Sequence, residues 1–343
     1  MIQKSLHITE PFHFEGGAVL DDLTVVYHVS EEVYDGRKKV VWVCHALTAN
    51  SDVEDWWPQM YGPGKLLDPQ KYFIVCVNML GSAYGTSGPA SPRPSDGRPY
   101  FFDFPAFTIR DMVQTFTYVR REVGIDSIHL LLGSSIGGFQ AVEWSLAEPG
   151  RVRNLVLMAT DVRISPWLTA EAETQRMALE ADPTFREAAD LSGGRAGLRC
   201  ARAQAILSYR SYDGYQRTQF EADPDTLFAG RAASYQRHQG DKFISRFDAY
   251  SYWSLCNTLD SHNVGRGRGG VEAALSQVRA KTLVVGIDSD CLFPARVMAS
   301  WAPYIPGSRF VTISSAFGHD GFLLESGQMT ALFTPILEEA DPQ

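Results

Sequence analysis

One pentapeptide in this 343-residue sequence carries a specific chemical signature: Gly133-Ser134-Ser135-Ile136-Gly137. It follows the apolar run Ile128 to Leu132 directly and precedes a segment of helical character. A serine centred between glycines at a strand-to-helix turn is the arrangement that presents a nucleophile. The sharp turn strains the serine backbone, and the flanking glycines remove side chains that would collide there. The hydroxyl of Ser135 is thereby lifted to a helix amino terminus, where a developing negative charge is favoured. Ser134 lies off the centre of the motif. Acyl transfer is the chemistry such a serine performs.

A serine hydroxyl is a poor nucleophile at neutral pH and needs a base, itself oriented by a carboxylate. With a nucleophile presented in this way, the partners follow in the chain order Ser, Asp, His. Of eight histidines, only His319 lies beyond the late apolar strands, in the small-residue loop Ser315 to Gly321. His45 and His129 are the rivals, and His129, inside a strand, reads as structural. For the acid, the run Thr282 to Ile287 leads into Asp288-Ser289-Asp290, where both carboxylates qualify. The oxyanion of a tetrahedral intermediate needs two N–H donors. The backbone of Ile136, after the nucleophile, supplies one. The backbone of Leu47, in the loop that follows the early run Lys39 to Cys44, is the natural second.

These residues require a scaffold of alternating strands and helices. Lys39 to Cys44, Tyr72 to Val77, Ile128 to Leu132, Val152 to Ala159, Thr282 to Ile287 and Arg309 to Ile313 are short apolar runs, as expected of strands buried on both faces. Phe107 to Val123, Gly137 to Glu148, Pro294 to Trp301 and Gly321 to Glu339 carry helical spacing. From about residue 164 to 270, helical segments follow one another with no clear buried strand. The expectation is an α/β fold with a mostly parallel central sheet and helices on both faces. Residues 1–163 and 271–343 form its core, and a helical lid of residues 164–270 is inserted between them.

Composition narrows the function classes. The chain is 45% hydrophobic, 12% aromatic and 21% charged, with a formal net charge of −9. That balance disfavours a nucleic-acid binder, whose domains are usually basic. No stretch of 18 apolar residues suggests a membrane span, and the amino terminus reads as lacking a signal peptide. Five cysteines without a C-x-x-C pair fit reduced thiols in a cytoplasmic protein. Between Arg195 and Arg268 the balance reverses, with 10 Arg and one Lys against seven Asp and Glu. A positive lid favours anionic substrates.

Several segments in order resemble the homoserine O-acetyltransferase family of α/β-hydrolase-fold enzymes. They are His45-Ala46-Leu47-Thr48, Asn78-Met79-Leu80-Gly81, Gly133 to Gln140, Ser208-Tyr209-Arg210-Ser211, Arg246-Phe247-Asp248-Ala249, Asp288 to Pro294 and Gly318 to Leu323. The resemblance implies Asp290 as the acid of the triad. It implies that Ser135 takes acetyl from acetyl-CoA and passes it to the γ-hydroxyl of L-homoserine, with His319 moving the protons. It further implies that Arg210 holds the homoserine carboxylate and Asp320 its ammonium. The likeness requires no metal or resident cofactor, and it implies a homodimer through the lid helices. Arg246 and Asp248 read as an ion pair or a lid anchor. Two positions depart from the family pattern: the elbow reads GSSIGG where GGSMGG is common, and Asn263 stands where an acid is usual. Succinyl-CoA as donor, another acceptor, or water as acceptor in a plain esterase remain alternative readings of the same triad.

Overall fold

The apolar runs pair into one twisted sheet in the computed structural model, which describes residues 1–187 and 190–340. Its eight strands are β1 (Ile2–Ile8), β2 (Leu23–Val29), β3 (Lys39–Cys44), β4 (Tyr72–Val77), β5 (Ile128–Ser134), β6 (Val152–Met158), β7 (Lys281–Ile287) and β8 (Arg309–Ile313). They lie in the order β1-β2-β4-β3-β5-β6-β7-β8. The pairings β1–β2 and β2–β4 are antiparallel, and all others are parallel. Every residue of β4 and β5 is buried, as a parallel sheet covered on both faces demands.

The first two strands fall where no strand was expected from sequence. β1 alternates exposed and half-buried positions, with only Ile8 fully buried, and carries Gln, Lys, Ser and His among its apolar residues. It is an antiparallel edge, solvated on one side, whose period-two signal is weaker than that of the uniformly apolar runs.

Helices α1 (Ile109–Val123) and α2 (Ile136–Ala147) pack on one face of the sheet. α1 begins two residues later than expected. Thr108 is its cap, accepting from the Asp111 backbone while the Asp111 carboxylate accepts from Thr108 N–H, which leaves Phe107 outside the helix. Trp42, Phe116 and Trp144 meet under these helices, with the two indoles edge to face at 4.7 Å. On the opposite face Trp57, Met158 and Phe333 belong to a second apolar cluster.

Between β6 and β7 the chain runs through α3 (Pro166–Glu180), α4 (Arg195–Tyr209), α5 (Tyr212–Gln219), α6 (Arg231–Phe243) and α7 (Ala249–Leu259). α3 packs on α4 and α7, and α4 packs on α6. After β7 come α8 (Ala295–Trp301) and, following β8, α9 (Ser326–Glu338). The continuous helix expected from Gly321 to Glu339 is two: Gly321–Leu324 forms a separate turn, and the chain leaves helical geometry at Glu325 (φ −88°, ψ 46°). Among the described residues no helix is long and apolar enough to cross a membrane.

Two buried histidines anchor this frame. His262, at the exit of the helical insertion, stacks on Phe139 of α2 at 3.8 Å and bonds the Asp161 carbonyl at 2.9 Å. His45, at the end of β3, donates through Nδ1 to the Ala46 carbonyl, and its Nε2 accepts from Met79 N–H. Burial lowers their pKa values to about 3 and about 4. Both rings are therefore neutral in the folded protein and take up protons on unfolding, so stability present above pH 6.5 is lost as pH falls toward 4. Denaturant titrations across that window should show unfolding free energy declining with acidity, and His262→Gln should make the decline shallower.

Candidate active site

Ser135 occupies the turn between β5 and α2 with φ 58° and ψ −131°. A side-chain-bearing residue at positive φ costs on the order of 1–3 kcal/mol, and it persists only where its surroundings over-determine it. Here they do. The Ser135 N–H is shared between the Met158 and Ala159 carbonyls, each at 3.1 Å, and the Thr160 hydroxyl donates to the Ser135 carbonyl at 2.7 Å. The turn also passes too close to its neighbours for larger residues. A Cβ on Gly133 would stand 2.2 Å from the Gly137 carbonyl oxygen, and one on Gly137 would stand 2.1 Å from that of Cys44.

His319 sits in a short helical turn after β8, buried between the rings of Phe293, Phe322 and Tyr209 at 5.2 to 5.8 Å. Its Nδ1 bonds Asp290 Oδ2 at 2.8 Å. Asp290 is itself fixed, because its Oδ1 accepts from the Leu292 and Phe293 backbones at 2.8 and 2.9 Å. A carboxylate with both oxygens engaged holds one imidazole tautomer and leaves Nε2 for a substrate proton. Asp288 does different work. It accepts from Ser315 N–H at 3.0 Å and so ties down the loop that delivers His319, with Ser289 bonding Ser315 O and Gly318 N–H beside it. Of the rivals, His45 has both ring nitrogens engaged by the backbone, and His129 bonds the carbonyls of Ile336 and Leu337 in α9.

Ser135 and His319 line one cavity of about 490 Å³, which is also bounded by Leu47, Trp56, Tyr84, Arg202, Tyr209, Lys242, Arg246 and Asp320. Leu47, Ser135 and Ile136 come together at a second, smaller recess. The loop carrying Leu47 is clamped from the helical insertion: Arg246 donates to the Thr48 carbonyl at 2.6 Å and bonds the Tyr84 hydroxyl. Arg246 and Asp248 are not an ion pair. The Asp248 carboxylate caps α7 by accepting from Ser251 N–H at 2.8 Å.

These features match the chemistry of acyl transfer, and comparison with known proteins agrees. The α/β hydrolase fold family matches residues 39–326. Homoserine O-acetyltransferase of Chlorobaculum tepidum is 41% identical over 320 residues, which cover 92% of this chain and 89% of that protein. The chain belongs to the homoserine O-acetyltransferase family. Among solved structures, homoserine O-acetyltransferase from Staphylococcus aureus superposes with TM-score 0.81 at 29% identity, over 100% of this chain and 97% of that one. Esterase E22 superposes with TM-score 0.87 at 22% identity, over 98% and 100%. That second likeness concerns the fold alone, which family members share with hydrolases.

The positions picked from sequence for the acceptor, Arg210 and Asp320, lie side by side, but only one borders the large cavity. Asp320 lines the large cavity. Arg210 is not among its lining residues. It pairs instead with Asp320 at 3.0 Å, without the alignment of a hydrogen bond. Besides Arg246, the guanidinium that borders the cavity is that of Arg202, two turns before Arg210 in α4, lying over Phe243 at 4.9 Å and Tyr209 at 5.4 Å. Its Nη1 is buried without an acceptor among the described residues. Arg202 and Tyr209 are seven residues apart in α4, two turns along one face. That spacing was available in the sequence, but the register of α4 on its neighbours was not. Burial raises the Tyr209 hydroxyl to about 12 and raises the Asp320 carboxyl, the latter opposed by Arg210, His319 and Arg202. Tyr209 thus remains a neutral hydroxyl at any working pH.

The split between the two carboxylates is testable with p-nitrophenyl acetate as a generic acyl donor. Asp290→Asn should keep the fold and lower acylation on the order of 10⁴-fold, the loss typical when the imidazole tautomer is no longer held. Asp288→Asn weakens one loop hydrogen bond, worth about 1 kcal/mol, and should cost roughly fivefold. Equal losses in the two variants would contradict the division of roles.

Proposed function

We propose that this protein transfers an acetyl group from acetyl-CoA to the γ-hydroxyl of L-homoserine through an acyl-enzyme on Ser135, the step that commits homoserine to methionine biosynthesis. The observation that carries the reading is the cavity that unites Ser135, the Asp290-oriented His319, and the opposed charges of Arg202 and Asp320. In the first half-reaction His319 Nε2 takes the Ser135 proton as the hydroxyl attacks the thioester carbon. The oxyanion is received by the Leu47 and Ile136 N–H groups. Collapse breaks the C–S bond, and the CoA thiolate leaves with the proton from His319. In the second half-reaction His319 deprotonates the homoserine hydroxyl, which attacks the ester carbon; the bond from that carbon to the Ser135 oxygen breaks, and the serine oxygen takes the proton back from His319.

No metal or resident cofactor enters this scheme; the acyl carrier is a co-substrate. The zwitterionic backbone of homoserine needs a cation and an anion on the same wall. Arg202 fits the carboxylate better than Arg210. A half-buried guanidinium with one nitrogen lacking an acceptor gains a charge-assisted pair when an anion arrives, whereas Arg210 already pairs with Asp320. In this reading Asp320 receives the ammonium, and Arg210 holds Asp320 ready for it. Lys242 and Arg246 at the same cavity supply positive charge for the anionic donor. The specific acceptor subsite is what favours a transferase over an esterase on the shared fold, because water needs no such wall. A reducing cytoplasmic setting accords with the five cysteines, which are all unpaired.

Free thiol released from acetyl-CoA should rise steeply when homoserine is added and vanish in Ser135→Ala. Arg202→Ala should raise KM for homoserine by about 100-fold, the loss of one charge-assisted contact of roughly 3 kcal/mol, while Arg210→Ala should raise it less. Thiol release indifferent to homoserine would establish a hydrolase instead. A homodimer through the lid helices belongs to the same proposal, supported by the exposed side chains of Tyr212, Phe220, Leu227 and Phe228 on and after α5. Light scattering should give twice the chain mass, and the double variant Leu227→Asp, Phe228→Asp should give the monomer.

A further inference from the structure

The tetrapeptide Ser208-Tyr209-Arg210-Ser211 turns the corner between α4 and α5, and each of its residues meets a loop that carries the triad. The Cys291 thiol, next to Asp290, donates to the Ser208 carbonyl at 3.4 Å. The Tyr209 ring lies 5.8 Å from that of His319, and Arg210 pairs with Asp320. Ser211 Oγ donates to the Ala316 carbonyl and accepts from Gly214 N–H at 3.0 Å. The two backbones touch as well: a Cβ on Gly318 would stand 2.7 Å from the Arg210 carbonyl carbon.

The loop Ser315 to Asp320 carries His319 and is held from two sides. From the core, Asp288 and Ser289 bind it at Ser315 and Gly318. Between those points the Ala316 carbonyl is held by Ser211 of the insertion. A hydroxyl both donates and accepts, so one side chain caps α5 and tethers the loop. His319 Nε2 has to meet the Ser135 hydroxyl within hydrogen-bond range, and a misplacement of about 1 Å can cost on the order of 100-fold in rate. A loop attached only to the core can pivot about its two attachments; a third one, from the opposite side, removes that freedom.

We infer that Ser211 is a positioning residue for His319, so that the helical insertion is part of the mount of the catalytic base as well as a wall of its cavity. This rests on the acyl-transfer reading, in which His319 moves a proton in both half-reactions. Loss of the tether therefore slows both half-reactions together, whereas loss of a residue that serves the acceptor alone slows only the second.

Variants of Ser211 separate the cap from the tether. Aspartate caps a helix as well as serine does but, ionised, has no proton to donate. Glycine caps nearly as well and adds no charge. Ser211→Asp and Ser211→Gly should therefore melt close to the wild type, yet lower the rate of the p-nitrophenolate burst from p-nitrophenyl acetate about 10- to 100-fold, with the half-saturating concentration little changed. In a single turnover, transfer of that acetyl group from the acyl-enzyme to homoserine should slow by a similar factor. Ser211→Thr keeps the donor and should restore most of both rates. Ser211→Ala, which loses cap and tether, should lose the rates and also about 2 °C of Tm. Wild-type burst rates in folded Ser211→Asp and Ser211→Gly overturn the inference, as does a loss confined to the homoserine step or a Ser211→Thr variant as slow as Ser211→Gly. A Ser135→Ala variant that still gives the burst removes the acyl-enzyme reading itself, which is a different result.

Discussion

Ser135 keeps its hydroxyl above the sheet because its backbone is bent to φ 58° and gripped on both sides of the turn. The bonds come from the end of β6, so the elbow depends on the β5–β6 register, which continues to the pair Ser134 and Met158. The close approach of Gly137 to the Cys44 carbonyl makes it depend on β3 as well. Two neighbouring strands and the first turn of α2 must all be in place before the serine can be strained. The large apolar clusters on both sheet faces stabilise that arrangement by far more than the few kcal/mol the strained residue costs. The reactive geometry is a by-product of a core that would form regardless of the serine.

From that fixed point the other groups follow by position along the sheet. The loops after β3, β5, β7 and β8 emerge at the same edge, the carboxyl ends of parallel strands, bringing Leu47, Ser135, Asp290 and His319 to one rim. Ligands bind at such rims in open α/β sheets. What covers the rim is the helical insertion, and its Arg246 reaches back to the Thr48 carbonyl beside Leu47. The insertion therefore both walls the cavity and steadies a loop of the core.

One fold serves both hydrolases and transferases. Esterase E22 shares the architecture at TM-score 0.87, so the fold alone does not distinguish the two activities. The insertion contributes Arg202 and Tyr209 to the cavity that Ser135 and Asp320 also line. A guanidinium Nη1 buried without an acceptor carries a desolvation cost, and an anionic ligand relieves that cost. Such a group has a rationale in a site for a carboxylate-bearing acceptor and none in a site for water.

The sequence alone determined the elbow serine, the histidine that pairs with Asp290 and most of the parallel strands, because each is written in local pattern. A glycine-flanked serine at a strand-to-helix junction, uniformly apolar runs and a histidine beyond the last of them need no knowledge of distant contacts. Asp288 and Asp290 were equivalent by that local grammar. Only the folded loop, where one carboxylate meets His319 and the other meets Ser315 N–H, told them apart. β1 went unread because an edge strand solvated on one face carries polar residues that blur its period. Which of Arg202 and Arg210 borders the cavity was likewise decided by tertiary structure. Arginine has an apolar stem and a charged head, so it suits a core-facing, cavity-facing or solvent-facing helix position alike. Which of these it takes is set by how α3, α4 and α6 pack against one another, and no periodicity within α4 contains that register.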